Sequence, residues 1–362
     1  MKKKLIAGAA VAAITVMALS SCSSRGSTAA STGAGIPKGS TIGVALPAKT
    51  SQNWVLAKAA FEKSIKAAGF KSDVQYAAAS NTVPDQQSQV SAMVTKGDKV
   101  IIVAAQDGSQ LGTQVKQAKA AGITVISWDR NLTNTKDVDY YVAFNNFKVG
   151  QLQGQALLDG MKARKAAGPY NVEVFAGSPD DANAPVFFAG AMSVLTPKIT
   201  DGTLVVQSGQ TSFSQVSTQG WLAQNAQTRM SNILTSTYSA KALDGVLSPN
   251  DTLARAIITA NKAAGKSVPI VTGQDSETAS IPLIMDGTQY STIYKDTNLE
   301  AQAAVDLVTT LSKGEKPKTV KDKNNYNDVI TVPAVELTPV LVTKANAAKT
   351  YANDPTLEAL TK

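Results

Sequence analysis

From Thr41 onward the apolar residues gather in short runs, and between the runs they recur at helical spacing. Thr41 to Pro47 reads as a buried strand. Trp54, Phe61, Ile65 and Ala68 then share one face of a helix that Gly69 ends. Further strands are expected at Val74 to Ala79, Val100 to Ala105, Thr124 to Trp128, Tyr140 to Phe144 and Val172 to Ala176. Others are expected at Leu204 to Gln207, Gly245 to Leu247, Pro269 to Gly273 and Ser291 to Tyr294, with amphipathic helices between most of them. Continuous apolar runs alternating with helices predict an α/β fold of parallel sheets covered on both faces.

One strand–helix–strand unit occurs twice. Val100-Ile-Ile-Val-Ala-Ala-Gln-Asp107 leads through a helix to Ala118-Lys-Ala-Ala-Gly122 and then Thr124-Val-Ile-Ser-Trp-Asp129. Gly245-Val-Leu-Ser-Pro-Asn-Asp251 leads likewise to Asn261-Lys-Ala-Ala-Gly265 and Pro269-Ile-Val-Thr-Gly-Gln-Asp275. The acid-to-acid spacings are 22 and 24 residues. Any two such units share some likeness, but the matched acids and the shared Lys-Ala-Ala-Gly favour two related lobes.

Length agrees with that: 362 residues are roughly two domains' worth. Hydrophobic residues make up 43% and charged residues 17%, a globular balance. The chain has no histidine and one cysteine. Ser-His-Asp and Cys-His nucleophiles, His-ligated zinc and a disulfide framework are therefore closed to it. No cofactor and no metal site is expected. The formal charge of +8 is spread over the chain without a basic-aromatic cluster, so a solvated surface is expected and nucleic acid is not. No Gly-x-x-x-x-Gly-Lys-Ser/Thr occurs, so a phosphate-cradling loop is absent from the sequence.

The chain begins Met1-Lys2-Lys3-Lys4, followed by an apolar run of 15 residues from Leu5 to Leu19. A membrane-spanning helix needs about 20, so residues 1–21 read as a signal peptide. The run ends Leu19-Ser20-Ser21-Cys22, which resembles the bacterial lipobox. That resemblance implies cleavage before Cys22, lipidation of its sulfur and anchoring on the outer face of the cytoplasmic membrane. The alternative is an ordinary secretory signal with an incidental thiol. Residues 22–40, rich in Ser, Thr, Gly and Ala, have nothing to bury and read as a tether on the order of 23 Å in span.

In open α/β sheets ligands bind beyond the carboxyl ends of the strands. The polar residues there are Asn53 with Trp54, Asp129 with Arg130, Asn183, Asn250 with Asp251, Asp275 and Lys295; Trp221 lies in a polar stretch before a helix. Carboxylates, amides and cations beside indole faces suit a sugar: charged groups bond hydroxyls strongly, and aromatic faces cover the apolar side of the ring. Each residue also has a plainer use. Asp129–Arg130 serves equally as an ion pair or cap, Asp275 and Asn183 as helix caps, and Lys295 as a solvated strand end. Trp128 lies within a strand and is assigned to the core; Trp54 suits core packing or ring stacking equally.

The body from about Thr41 to beyond Thr343 resembles the type I periplasmic binding proteins for monosaccharides, nearest the xylose-binding and multiple-sugar-binding members of ABC importers. The resemblance rests on Asp85-Gln-Gln-Ser-Gln, Trp128-Asp-Arg-Asn, Tyr140-Tyr-Val-Ala-Phe-Asn-Asn-Phe, Gly177-Ser-Pro-Asp-Asp-Ala-Asn, Ser248-Pro-Asn-Asp, Gly273-Gln-Asp and Ser291-Thr-Ile-Tyr-Lys-Asp, in that order. It implies two Rossmann-like lobes joined by three crossings and closing on one sugar. The expected division is 41–144 plus 297–325 for the amino-terminal lobe, and 145–296 plus 326–362 for the carboxyl-terminal lobe. By motif match, Asp129 and Arg130 hold adjacent hydroxyls, Asn183, Asn250, Asp275 and Lys295 bind from the other lobe and hinge, and Trp221 and Trp54 sandwich the ring. Asn53 stands where xylose-binding relatives place arginine, and Asn145 where relatives carry aspartate. The first change removes a fork of donors and leaves room, so a ketose or hexose becomes plausible beside xylose.

The resemblance implies a monomeric receptor that delivers a pentose or hexose, such as xylose, fructose, ribose or glucose, to an ABC permease whose ATPase is a separate chain. Two other readings are an exported carbohydrate-active enzyme using paired carboxylates and a sensor presenting sugar to a signalling receptor. A sugar-responsive repressor would need an amino-terminal DNA-reading helix pair, and the chain carries an export signal and tether there.

Overall fold

The computed structural model describes residues 35–362. The signal peptide, Cys22 and most of the expected tether lie outside these residues.

The amino-terminal lobe begins β1 (Thr41–Leu46), α1 (Gln52–Ala67), β2 (Lys71–Tyr76), α2 (Thr82–Lys96), β3 (Val100–Val103), α3 (Gly112–Ala120), β4 (Thr124–Trp128) and β5 (Tyr140–Phe144). The chain then crosses into the second lobe: α4 (Asn146–Arg164), β6 (Tyr170–Val174), α5 (Asn183–Thr200), β7 (Leu204–Val206), the short α6 (Phe213–Val216), α7 (Ala223–Ser236), β8 (Gly245–Leu247), α8 (Asp251–Ala263), β9 (Ile270–Val271), α9 (Ile281–Asp286) and β10 (Ser291–Tyr294). It returns to the first lobe for α10 (Thr297–Ser312) and β11 (Ala334–Leu337), and crosses a third time to β12 (Val340–Thr343), α11 (Ala347–Thr350) and α12 (Pro355–Ala359).

The first sheet has the order β11-β5-β4-β3-β1-β2 and the second β7-β6-β8-β9, with all pairs parallel. The run β2-β1-β3-β4 in one lobe has the same order as β7-β6-β8-β9 in the other, so the repeated unit of the sequence occupies the same place in both sheets. β10 and β12 form a separate antiparallel pair, Ser291 opposite Thr343.

Strand residues alternate between the two faces, as the pleat requires. Val100 and Ile102 pack with Phe61 and Ile65 of α1 and Val305 of α10; Ile101 and Val103 pack with Val90, Met93 and Val115 of α2 and α3. Each such side chain contributes roughly 1.5–3 kcal/mol when buried. Uncovering one face of β3 alone would forgo an amount comparable with a small domain's net stability of about 5 kcal/mol. In the second lobe, α4 and α5 press together at two glycines: a Cβ at Gly150 would meet the Phe187 carbonyl at 1.9 Å, and one at Gly190 the Phe147 carbonyl at 2.1 Å. No helix of the described residues is long and apolar enough to cross a membrane.

Two expectations are corrected. Residues 326–337 belong to the first lobe, not the second, because β11 pairs with the open edge of β5, Ala334 beside Tyr141 and Leu337 beside Phe144. The loose stretch also ends before Ser40: Ile36 is buried in the core beside α10, and Gly39 N–H donates to the Gly69 carbonyl.

Candidate functional site

Nine of the ten residues singled out in the sequence line one cavity between the lobes: Asn53, Trp54, Asp129, Arg130, Asn183, Trp221, Asn250, Asp275 and Lys295; the tenth, Asp251, is buried and outside its lining. The cavity is about 40 Å³, room for some three waters, because side chains from both lobes meet across it. The lobes are closed on each other in this structure.

The backbone turns sharply where the charged groups enter. Asp129, Trp221 and Asp275 have φ of 56°, 55° and 92°, in the left-handed region that non-glycine residues seldom occupy. Each is held by its surroundings: Asp129 N–H donates to the Val142 carbonyl, Asp275 N–H to the Ile293 carbonyl and Trp221 N–H to the Thr218 carbonyl. Strain of this kind persists only where the fold over-determines it, and it concentrates at functional sites.

Lys295, directly after β10, reaches between two carboxylates. Its Nζ lies 3.2 Å from Asp275 Oδ1 and 3.7 Å from Asp129 Oδ2, and its side chain is 8% exposed. It also stands over the Phe187 ring at 5.6 Å. Burial disfavours the ammonium, but Asp275, Asp129 and Glu300 together outweigh it, so Lys295 stays protonated well above its ordinary range. Burial pushes the Asp275 carboxyl up, and Lys295 only partly offsets it. The solvated strand-end lysine is thereby excluded.

Arg130 forms a second buried pair, Nε to Asp181 Oδ2 at 3.1 Å. Its guanidinium also donates to the Gln106 carbonyl at 3.2 Å and lies 5.2 Å from the Trp54 ring centre. Asp181 is a hub: Oδ2 accepts from Trp221 Nε1 at 3.1 Å, and Oδ1 accepts from Asn183 N–H at 2.9 Å. Trp221 is pressed onto Gly177, where a Cβ would sit 2.1 Å from its ring. Only glycine permits that approach.

Several contacts cross from lobe to lobe. Asn183 Nδ2 donates to the Asp129 carbonyl at 2.8 Å, beside the buried Tyr141 hydroxyl that donates to the same carbonyl. Gln52 Oε1 accepts from Thr278 N–H at 2.8 Å at the cleft mouth. Asn183 is the first residue of α5 and does not cap it. Asn250 does cap α8, its Oδ1 accepting from Leu253 N–H, which leaves Nδ2 as a donor. Asn53 Oδ1 accepts from the Ser51 hydroxyl, again leaving an amide donor. Trp54 is 3% exposed, edge-on to Trp128, and still lines the cavity, so it serves core and cleft together. Trp128 is core, as its strand position suggested.

Asn145 is not in the cavity. It caps α4, and its amide donates to Glu336 Oε2 at 2.9 Å, tying two of the three crossings together.

Asp181, Phe187, Thr50, Ser51, Thr252 and Gln274 also line the cavity and were not singled out. Asp181 sits in the quoted segment Gly177-Ser-Pro-Asp-Asp-Ala-Asn, two residues before Asn183, and Phe187 lies one helical turn after it. Helical spacing from Asn183 would have found Phe187. Choosing between Asp180 and Asp181 requires the fold.

Comparison with known proteins places the chain in a family. Residues 42–316 match the family described as periplasmic binding protein domain. The chain is 45% identical over 314 residues to the multiple sugar-binding periplasmic receptor ChvE of Rhizobium radiobacter, covering 85% of this chain and 88% of that one. It is 35% identical to the D-xylose-binding periplasmic protein of Escherichia coli, covering 86% and 89%. An ABC transporter solute-binding protein of Clostridium phytofermentans with bound β-D-glucose superposes with a TM-score of 0.83 at 38% identity, covering 89% of this chain and all of that one.

Proposed function

The chain belongs to the periplasmic binding protein family, and on that premise we propose that it captures one monosaccharide, a pentose or a hexose, by closure of its lobes and hands it to an ABC permease. One observation carries the reading: Asp129 from the first lobe, Asp275 from the second and Lys295 at a crossing meet in one buried cluster, beside the Arg130–Asp181 pair and two indoles. Vicinal hydroxyls each donate and accept, so alternating carboxylates, cations and amides satisfy them as no single-sign pocket would. Trp54 and Trp221 supply the faces for the apolar side of the ring.

The groups that would hold sugar are paired with each other in the closed structure. A monosaccharide entering the 40 Å³ gap must part the lobes and take over part of that pairing. Binding and closure are therefore one equilibrium, and closure changes the surface a membrane partner meets. A cation between the two carboxylates suits holding hydroxyls rather than cleaving a bond, and no covalent step is required. Asn53, shorter than arginine, leaves room for a hexose as well as a pentose.

The protein acts as a monomer anchored through lipidated Cys22 on the outer face of the cytoplasmic membrane, with the ATPase supplied by a separate chain. Membrane fractionation of wild type against Cys22→Ser tests the anchor: release of the variant supports it, and equal partition removes it. Thermal unfolding of the body after Cys22 with xylose, ribose, arabinose, fructose, glucose and galactose tests the ligand. At about 100 times its dissociation constant, a sugar stabilises by roughly 2.7 kcal/mol, a shift of several degrees. No shift with any of the six would remove the monosaccharide reading.

A further inference from the structure

The charge count around Lys295 does not close on the residues that line the cleft. Arg130 is committed to Asp181. Lys295 is then left with Asp129 and Asp275 within ion-pair distance; a third carboxyl, Glu300, lies one turn into α10, makes no direct ion pair with it and is absent from the cavity lining, and acts on it only through its field. Glu300 is 3% exposed, and its Oε1 accepts no hydrogen bond among the described residues. A buried ionised carboxylate without donors is expensive, whereas a protonated one is tolerated. The lysine, already flanked at 3.2 and 3.7 Å, has little left with which to compensate a third negative charge.

We propose that Glu300, buried behind the cleft, is a positioning residue whose protonation sets the charge balance around Lys295 and so couples sugar affinity to pH. The inference rests on the sugar-binding reading above. The groups that act on Glu300 are Asp129 after β4, Tyr141 on β5, Asp275 after β9, Lys295 after β10 and Asp296 at the cap of α10. Burial and then Asp129 push its carboxyl well above the usual range, against the opposing field of Lys295. In its neutral form Glu300 leaves Lys295 to Asp129 and Asp275. Once ionised, it competes for the same ammonium, loosens Asp129 and favours the open cleft, where water reaches all of them. Closure leaves Glu300 3% exposed, whereas an open cleft admits water, so the closed complex that binds sugar holds the proton more tightly than the open protein. Affinity therefore falls as pH rises through the raised range, and closure takes up protons.

The test is calorimetric titration with glucose and with xylose of wild type and Glu300→Gln at about pH 6 and about pH 9. The wild type should lose roughly tenfold in affinity across that interval, the worth of one unit of differential shift, while the glutamine variant changes less than about twofold. Equal losses in both proteins, or no loss in the wild type, would overturn the proposal. Heats measured in buffers of different ionisation enthalpy read proton uptake by the wild type without a variant; no uptake would also overturn it. Melting temperature without sugar separates this from the underlying reading. Glu300→Gln should gain on wild type at about pH 9 relative to about pH 5, because only the wild type must bury an ionising carboxyl. That gain appears whether or not any sugar binds, and its absence would refute the role of Glu300 alone.

Discussion

Replacing Lys295 with methionine keeps the volume of the side chain and removes the cation from between Asp129 and Asp275. At 3.2 Å the attraction to Asp275 is about 5 kcal/mol at an effective dielectric of about 20, most of it offset by desolvation of the two ions. Breaking a buried pair by deleting one partner costs about 3–5 kcal/mol, because the remaining charge is left uncompensated. Two carboxylates are stranded here, yet opening the cleft returns Asp129 to water, so the lower end, about 3 kcal/mol, is expected at pH 8. The pH dependence follows from the signs. Lys295 is held protonated above its ordinary range, so its positive charge is present at both pH 5 and pH 8 and is lost only at strongly alkaline pH. In the variant the Asp275 carboxyl, already raised by burial, loses the opposing charge of Lys295 and rises further. Its cost is then felt at pH 8 and is relieved as the group protonates toward pH 5. Urea unfolding of both proteins at the two pH values measures this. A deficit under about 1 kcal/mol at pH 8, or the same deficit at both, would show that the cluster is not a buried, coupled ion pair.

Other consequences are smaller or more local. Asp275→Ala should weaken sugar binding by roughly 1.5–3 kcal/mol, the worth of a hydrogen bond to a charged group, read by calorimetry; unchanged affinity would take Asp275 out of the site. Gln52→Ala removes the contact with Thr278 at the cleft mouth and should speed sugar release about fivefold, for a bond worth ~1 kcal/mol, with little change in the choice of sugar. Stopped-flow release that is unaltered would show the contact does not latch closure. Asn145→Asp sets a carboxylate against Glu336 and turns a donor into an acceptor; it should lower stability by about 1 kcal/mol at pH 8 and much less at pH 4, measured by denaturant midpoint.

Most strands, the helix ended by Gly69 and the core position of Trp128 were legible because each is specified by neighbours in sequence. The repeated unit was legible too, and the fold explains what it meant. Asp129 and Asp275 end equivalent strands, β4 and β9, share the left-handed conformation and converge on Lys295. The other matched pair diverges. Asp107 accepts from Ser109 N–H in a local turn, while Asp251 is fully buried and bonded to Gln289 and Thr292. What was missed depends on distant partners. β11 and β12 are four residues each, with mostly half-buried patterns, and their pairing edges lie far away in sequence on β5 and β10. Asp181 earns its place only through Arg130 and Trp221, fifty-one and forty residues away.

Whether one monosaccharide sits in this cleft is read most directly from intrinsic tryptophan fluorescence. The chain has three tryptophans; Trp54 and Trp221 line the cavity, and Trp128 is 6.1 Å from Trp54. Titration of the body after Cys22 with glucose and xylose should give a saturable, one-site change that shrinks markedly in Trp221→Phe and is lost in Lys295→Met at the same sugar concentrations. A flat response to every monosaccharide, or a response that survives intact in Lys295→Met, would contradict a sugar held between the two lobes.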